Sequence, residues 1–300
     1  MSLSCLVFGI FALAFGSDTI PSFAASPTVE APTRLSFPRL DGKTRLAAFL
    51  RKPGGGGPFP AVVFLHGCSG VGPGGGISST YSAWARHLAQ NGFATLLVDS
   101  MGSRGLGSTC GPNPNRRTMY RERPGDAYAA LAFLQSRTDI LAGRIGLMGW
   151  SQGGGITLLT VSGESIGRPR PPPVDDFKAA VALYPSACSE RLQSRPYTTV
   201  DPGSWSTIAP LLVLHGARDN WAQPVPCQHF IEAAARRGEP ARIIVYQEAA
   251  HSFDAPNLRL KRRSGPRLRD GSLPLIGTHP VARLDAMRRV VDFFGEHLKQ

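Results

Sequence analysis

A serine, an aspartate and a histidine in this 300-residue chain have the order and surroundings that nucleophilic catalysis requires. Ser151 lies in the segment GWSQG at 149–153, a G-x-S-x-G pattern that forms a nucleophile elbow when a strand precedes it and a helix follows it. A serine hydroxyl is a weak nucleophile at neutral pH and needs an adjacent base. His251 is the candidate base, because it follows a predicted strand in the segment AAHSF at 249–253.

The third member of such a set is a carboxylate, which accepts a hydrogen bond from the imidazole and stabilises the imidazolium. Asp219 is the best-placed candidate, because it comes shortly after a predicted strand over 211–214. Asp254 is the main alternative, although it lies close to His251 on the same loop and would have to fold back on its neighbour. We therefore predict Ser151 as nucleophile, His251 as general base and Asp219 as the acid that orients the base.

Two backbone N–H groups are candidates for the oxyanion hole that acyl transfer requires. One belongs to Gln152, at the start of the helix predicted after Ser151. The other belongs to Cys68, in the glycine-bearing turn HGCSG at 66–70 that follows a predicted buried strand. His66 in this turn is expected to brace the loop through hydrogen bonds rather than to transfer protons.

Strand-like and helix-like segments alternate along the chain, as they do in βαβ units. An antiparallel hairpin is predicted first, because residues 33–37 and 44–50 alternate apolar and polar residues around Asp41-Gly42. The predicted fold class is α/β, with a mostly parallel central sheet, this N-terminal hairpin and helices on both faces. Further strands are predicted over 61–65, 94–98, 145–148, 179–183, 211–214 and 243–246, and helices over 81–90, 127–135, from 152, 228–237 and 281–298.

With these motifs in place, the sequence resembles the dienelactone hydrolase family of α/β-hydrolases. The matching segments are HGCSG at 66–70, DSMGSRG at 99–105, GWSQGG at 149–154, YP at 184–185, GARD at 216–219 and HSFD at 251–254. The order serine, aspartate, histidine is also the order used in this fold. The resemblance implies an α/β-hydrolase catalytic domain over 33–300 that cleaves small-molecule esters or lactones with no metal and no organic cofactor.

One departure from the family concerns the nucleophile. The founding dienelactone hydrolases carry cysteine at the elbow, whereas residue 151 is serine, so their particular lactone substrate does not carry over. The resemblance also suggests that Arg104 binds a substrate carboxylate, since a planar guanidinium suits bidentate recognition; a structural ion pair is the alternative. Trp150 in the elbow is the second candidate substrate-binding residue.

Two other functions are compatible with the same motifs. A serine peptidase of the prolyl-oligopeptidase type shares the elbow and the triad order, but the sequence offers no large N-terminal domain that would restrict access to peptides. A non-catalytic binding module on a hydrolase fold predicts a damaged triad, whereas all three residue types are present here. The esterase hypothesis is preferred, and the oligomeric state is left open.

The formal net charge of +12 is scattered along the chain, so nucleic-acid binding is not predicted. The densest cluster lies over 259–269 and holds six Lys and Arg residues but no aromatic side chain on which a base could stack. This pattern favours a solvated basic loop, with binding to an anionic surface or polymer as the alternative.

Residues 1–25 have features of an export signal. An apolar run at 6–15 is followed by SFAA at 22–25, a small-residue stretch that suits signal-peptidase cleavage. The run is too short to span a bilayer, so stable membrane insertion is not predicted. Because no Lys or Arg precedes Arg34, a mis-assigned start or a simple apolar tail is the alternative. Export predicts a periplasmic or secreted enzyme, and the alternative predicts a cytoplasmic one.

The cysteine count agrees with export. If Cys5 leaves with the leader, four cysteines remain, an even number that suits an oxidising compartment. Four cysteines allow three pairings, and sequence alone selects none. Loop adjacency after neighbouring strands favours Cys188 with Cys227 and Cys68 with Cys110. Four reduced thiols in a cytoplasmic enzyme are the alternative.

Overall fold

The computed structural model describes Met1 and residues 28–196, 198–265 and 267–300. Apart from Met1, the predicted leader over 1–25, together with Cys5, lies outside the described residues. Within the described ranges, no helix is both long enough and apolar enough to cross a lipid bilayer.

An eight-stranded sheet forms the centre of the molecule, in the order β1-β2-β4-β3-β5-β6-β7-β8. The first two strands form the predicted antiparallel hairpin, and β2 also pairs antiparallel with β4. All pairings from β4 through β3 to β8 are parallel. The strands are β1 (Thr33–Pro38), β2 (Arg45–Arg51), β3 (Phe59–Leu65), β4 (Ala94–Asp99), β5 (Ile140–Trp150), β6 (Ala180–Leu183), β7 (Leu211–Gly216) and β8 (Ala241–Tyr246).

The helices cover the two faces of this sheet and bury its apolar strands. They are α1 (Ser79–Gln90), α2 (Asn115–Gln135), α3 (Gln152–Thr160), α4 (Glu190–Gln193), α5 (Pro224–Arg236) and α6 (Pro280–Leu298). One apolar cluster joins α2, α3 and α5 to the sheet, and a second cluster joins α1 and α6 to its other face. The central strands β3, β6 and β7 are almost wholly buried, which explains their continuous apolar runs.

Two parts of the chain differ from the sequence-based expectation. Helix α2 begins at Asn115 rather than near residue 127 and continues through Pro124. Its polar first half shows no apolar repeat, but Met119, Arg123 and Pro124 are all buried, so tertiary contacts override local preference. The basic loop contains a short antiparallel hairpin, with β9 (Lys261–Arg262) paired to β10 (Leu275–Ile276).

The parallel arrangement determines where the functional loops meet. Strands β3, β5, β7 and β8 run in the same direction, so the loops that follow them leave from one edge of the sheet. These loops carry Cys68, Ser151, Asp219 and His251 respectively.

Candidate active site

Ser151 occupies a sharp turn between β5, which ends at Trp150, and α3, which begins at Gln152. Its φ of 52° and ψ of −113° are unusual for a residue with a Cβ, so the turn is held by its surroundings. The Ser151 N–H donates to the Leu183 carbonyl at 2.9 Å, and the Ser186 N–H donates to the Ser151 carbonyl at 2.9 Å. The strand-turn-helix context that the G-x-S-x-G pattern requires is therefore present.

The two glycines of the elbow are required by close backbone approach. A Cβ on Gly149 would overlap the carbonyl oxygen of Gly153. A Cβ on Gly153 would overlap the carbonyl oxygen of Leu65 at the end of β3. Only glycine therefore allows the elbow to pack this closely against itself and against the neighbouring strand.

His251 connects Ser151 to Asp219. Its Nε2 lies 3.1 Å from Ser151 Oγ, and its Nδ1 lies 2.7 Å from Asp219 Oδ2. A carboxylate can only accept hydrogen bonds, so the Nδ1 proton points to Asp219 and Nε2 is left to accept the proton of the Ser151 hydroxyl. His251 and Asp219 are 3% and 2% exposed, so water is largely excluded from this line of hydrogen bonds.

The Asp219 carboxylate is held in one orientation by its own turn. Its Oδ1 accepts hydrogen bonds from the N–H groups of Trp221 at 2.8 Å and Ala222 at 2.9 Å, which leaves Oδ2 for the histidine. The imidazole lies between two aromatic rings, with ring centroids 4.5 Å away at Tyr184 and 4.9 Å away at Trp221. Both partners of the 2.7 Å contact are thus fixed before any substrate binds.

Asp254, the alternative acid, is engaged elsewhere. Its carboxylate is fully buried and accepts hydrogen bonds from Trp84 Nε1 at 2.7 Å, Trp150 Nε1 at 2.8 Å and the Tyr184 hydroxyl at 2.6 Å. Burial raises the pKa of Asp254, while the three hydrogen bonds oppose that rise by stabilising the ionised carboxylate. Asp254 therefore braces the tryptophan of the elbow and the tyrosine that packs against His251.

The two N–H groups predicted for an oxyanion hole flank Ser151. Within the described part of the chain, neither the Cys68 N–H nor the Gln152 N–H has a hydrogen-bond acceptor. The Cys68 loop passes close to the nucleophile, since a Cβ on Gly67 would lie 3.6 Å from Ser151 Cβ. His66 in this loop is fully buried, and its Nδ1 lies 2.7 Å from the Gly67 carbonyl oxygen. Burial holds the pKa of His66 well below the usual value for histidine, which agrees with a bracing role.

The Cys68 loop is tied to the segment that follows β4. Cys68 and Cys110 form a disulfide bond, and the Thr109 N–H donates to the Cys68 carbonyl at 2.9 Å. A second disulfide joins Cys188 to Cys227, with Cα atoms 4.7 Å apart. These are the two pairings that loop adjacency favours.

Arg104 does not reach the cleft beside Ser151, so its predicted substrate-binding role is corrected to the structural alternative. Its two terminal nitrogens each lie 2.8 Å from an oxygen of Asp126, and Nη1 also donates to the Ser100 carbonyl at 2.7 Å. Asp126 is fully buried, so this bidentate ion pair occupies the guanidinium. The spacing from Asp99 could not distinguish an arginine that faces substrate from one that faces the protein.

The cleft beside Ser151 has a volume of about 130 Å³. Its lining combines four aromatic side chains with several hydroxyl groups. Trp150, the second predicted substrate-binding residue, is one of the four aromatic residues, although its Nε1 is bonded to Asp254. Arg263 stands at the cleft as a cationic side chain that sequence reasoning had placed in a solvated loop. The residues of the lining are Gly67, Cys68, Ser69, Ser78, Thr80, Tyr81, Trp150, Ser151, Tyr184, Trp221, His251, Ser252, Arg263 and Ile276.

The hairpin β9–β10 supports the histidine as well as the cleft. The His251 N–H donates to the Leu275 carbonyl at 3.2 Å, and the Gly277 N–H donates to the His251 carbonyl at 3.0 Å. Arg263 follows β9 directly, and its guanidinium lies 5.0 Å from the centroid of the Trp221 ring. No local sequence signal identified this contact, because β9 and β10 have only two residues each.

The sheet order, the elbow after β5 and the positions of the acid and base loops define an α/β-hydrolase. The sequence profile of the dienelactone hydrolase family matches residues 46–298. The chain therefore belongs to the dienelactone hydrolase family and is a hydrolase.

Comparisons with individual proteins agree with this assignment. A Methylorubrum extorquens protein assigned as a carboxymethylenebutenolidase is 26% identical over 232 residues, which cover 74% of this chain and 72% of that protein. Human dipeptidyl peptidase 8 is 24% identical over 272 residues, but these cover only 28% of that protein and 81% of this chain. The crystal structure of a Klebsiella pneumoniae protein assigned as a dienelactone hydrolase has a TM-score of 0.65 at 20% identity, covering 90% of this chain and 100% of that chain. At that identity, the structural likeness shows the fold.

Proposed function

We propose that this protein is a serine hydrolase that cleaves carboxylic esters or lactones through an acyl-enzyme intermediate. Ser151 is the nucleophile, His251 the general base and Asp219 the acid that orients the base. The observation that carries the proposal is the continuous line of contacts from Ser151 Oγ through the imidazole to Asp219, at 3.1 Å and 2.7 Å. This geometry gives the hydroxyl an acceptor for its proton at the moment of attack.

The proposed reaction has two half-reactions. Ser151 Oγ attacks the ester carbonyl while its proton passes to His251 Nε2, and the N–H groups of Cys68 and Gln152 stabilise the resulting oxyanion. Collapse of this intermediate breaks the bond to the alkoxy oxygen, which takes the proton from His251 and leaves as the alcohol. A water molecule, deprotonated by the same imidazole, then attacks the acyl-enzyme, and the carboxylic acid and free Ser151 are released. A lactone follows the same steps, with the alcohol retained on the acyl group.

Ester hydrolysis is favoured over peptide hydrolysis by the size of the cleft. A cleft of about 130 Å³ suits a small acyl group better than an extended polypeptide. The test is to assay p-nitrophenyl acetate and butyrate beside a chromogenic dipeptide anilide, with fluorophosphonate labelling of the folded protein. Rapid ester turnover with slow anilide turnover supports the proposal. The opposite ranking would favour the peptidase alternative, and a folded protein that is not labelled would favour the non-catalytic alternative.

The position of Arg263 indicates a preference for esters that carry a negative charge. Arg263 borders the cleft, and its guanidinium carries a positive charge that would attract an anionic group on a bound substrate. We expect monoethyl adipate to be preferred over ethyl hexanoate, and we expect Arg263→Gln to lower that preference in kcat/KM by roughly 10-fold, since a hydrogen bond to a charged group is worth about 1.5 to 3 kcal/mol. A pH-stat follows both reactions.

The matched control for this test is Arg262→Gln, at the last residue of β9 and directly before Arg263. Arg262 is exposed, and its Nη1 lies 3.3 Å from the Leu273 carbonyl oxygen rather than in the cleft. We expect this variant to keep the wild-type ratio of the two rates. Equal effects of the two substitutions would indicate a general influence of the basic hairpin and would refute a specific role for Arg263.

We propose further that the enzyme is exported to the periplasm or beyond, with residues 1–25 as the signal. The two disulfide bonds support this proposal, because such bonds persist mainly in oxidising compartments. Non-reducing mass spectrometry of protein recovered from the periplasm should give a mass that is four hydrogens below that of the fully reduced chain. Four free thiols in that material would contradict the proposal.

The Cys188–Cys227 disulfide is expected to stabilise the fold substantially. It closes a segment with a sequence separation of 39 that contains Asp219, and the chain-entropy relation gives roughly 3 to 4 kcal/mol for a loop of this length. The double variant Cys188→Ser and Cys227→Ser should therefore lose about that much unfolding free energy in urea. An unfolding free energy equal to that of the wild type in this double variant would contradict the assignment.

A further inference from the structure

Arg123 is a buried cation that has no role in the reaction proposed above. Its side chain lies on α2 and is fully buried, yet within the described ranges it forms no salt bridge. Burial lowers the pKa of Arg123 to about 10, which leaves the guanidinium protonated at neutral pH. The nearby carboxylate of Asp126 is engaged by Arg39 and Arg104 instead. A buried charge with no carboxylate bound to it needs another explanation, because its desolvation is costly.

The hydrogen bonds of Arg123 go to the two segments that flank Ser151. Its Nη2 donates to the His66 carbonyl at 2.7 Å, and its Nη1 lies 3.3 Å from Gln152 Oε1. His66 is the first residue of the turn that carries Cys68, and Gln152 is the first residue of α3. A single planar group therefore connects the two segments that carry the N–H groups of the proposed oxyanion hole. Thr109 Oγ1 adds a hydrogen bond of 3.1 Å to the same Gln152 oxygen.

We propose that Arg123 is a positioning residue of the oxyanion hole, which sets the separation of the Cys68 and Gln152 N–H groups and adds a positive charge behind them. This inference rests on the proposed function. Because Arg123 is fully buried, little solvent screens its charge, and the charge acts strongly on negative charge that develops nearby. The effect is confined to states that carry an oxyanion, so Arg123 stabilises the tetrahedral intermediate more than the bound ester.

The test compares two ketones in wild type, Arg123→Met and Arg123→Lys. In a trifluoromethyl alkyl ketone, the carbonyl carbon is attacked by the serine oxygen, and the adduct carries an oxyanion. The methyl ketone of the same chain length binds without forming this adduct. Arg123→Met should raise the inhibition constant of the trifluoromethyl ketone roughly 10- to 100-fold, by analogy with the loss of one oxyanion donor. The inhibition constant of the methyl ketone should rise by less than about 2-fold, because this ligand forms no oxyanion. Arg123→Lys should fall between, because one ammonium keeps the charge but loses the planar fork.

Arg104→Met is the matched control, since Arg104 is an arginine that is mostly buried and bonded to Asp126 but contacts neither segment of the oxyanion hole. This variant should lose stability in urea and keep the wild-type ratio of the two inhibition constants. A ratio within 2-fold of wild type in both Arg123 variants would overturn the inference, and so would equal changes in the Arg104 and Arg123 variants. If Arg123→Met does not fold, the ratio of the two inhibition constants in Arg123→Lys is the test. Wild-type protein that forms no adduct with the trifluoromethyl ketone would instead refute the proposed function.

Discussion

Replacing Ser151 by alanine is expected to abolish ester hydrolysis while leaving the fold intact. The attacking oxygen is lost, and no other hydroxyl lies within hydrogen-bonding distance of His251 Nε2 in the described residues. In serine hydrolases, loss of the nucleophile lowers kcat by on the order of 10⁶-fold. Hydrolysis of p-nitrophenyl acetate and fluorophosphonate labelling measure the loss, and thermal unfolding reports the fold.

Ser78→Ala is the matched control for this experiment. Ser78 also lines the cleft. It precedes α1, but its hydroxyl forms no hydrogen bond to the helix, so α1 does not depend on it. Its activity and labelling should stay close to those of wild type. If Ser151→Ala retained more than a few per cent of wild-type turnover, another residue would have to be the nucleophile.

Asp219→Asn is expected to lower kcat by about 10⁴-fold. The N–H groups of Trp221 and Ala222 hold Oδ1, so the asparagine oxygen stays in that position and its NH₂ group faces His251. An NH₂ group needs an acceptor, which forces the imidazole into the tautomer whose proton is on Nε2. That tautomer cannot take the serine proton, and no carboxylate remains to stabilise the imidazolium. Pre-steady-state release of p-nitrophenol measures the acylation step that should be slowed.

Asp254→Asn provides the comparison for Asp219→Asn. Because three donors face the Asp254 carboxylate, an asparagine NH₂ group there would meet a donor and leave it unsatisfied. We expect a loss of stability of about 1 to 3 kcal/mol in urea and a much smaller loss of kcat in the folded protein. A larger loss of kcat in Asp254→Asn than in Asp219→Asn would reverse the roles assigned to the two aspartates.

The main features of the sheet could be predicted because each depends on a short stretch of sequence. Residues 61–65 form a continuous apolar run, and the structure extends it only to Phe59–Leu65. The mostly parallel character of the sheet and its antiparallel start follow from the alternation of strands and helices together with the hairpin signal around Asp41-Gly42. The order of the strands was not predicted. Ser151, Asp219 and His251 could be proposed as a set because parallel strands deliver their following loops to one edge.

The features that could not be predicted depend on contacts distant in sequence. Whether Arg104 faces a substrate or Asp126 is decided by the packing of α2, which begins 12 residues before its apolar repeat is evident. The role of Arg263 depends on a hairpin whose two strands are short and far from Ser151 along the chain. The donors that surround Asp254 come from three separate elements. Pattern reasoning finds residues on one element and gives little information about which side chains meet between elements.

The backbone hydrogen bonds between His251 and the β9–β10 hairpin have a consequence for how such an enzyme diversifies. The wall that carries Arg263 and the loop that carries the base share Leu275 and Gly277 as anchors. Insertions or exchanges over 264–272 leave both hydrogen bonds to His251 in place, so this segment offers a route to new substrate preferences that does not displace the base. Changes at 275–277 are expected to move the imidazole as well. The segment between the two strands of the hairpin can therefore change without disturbing His251, whereas residues 275–277 cannot.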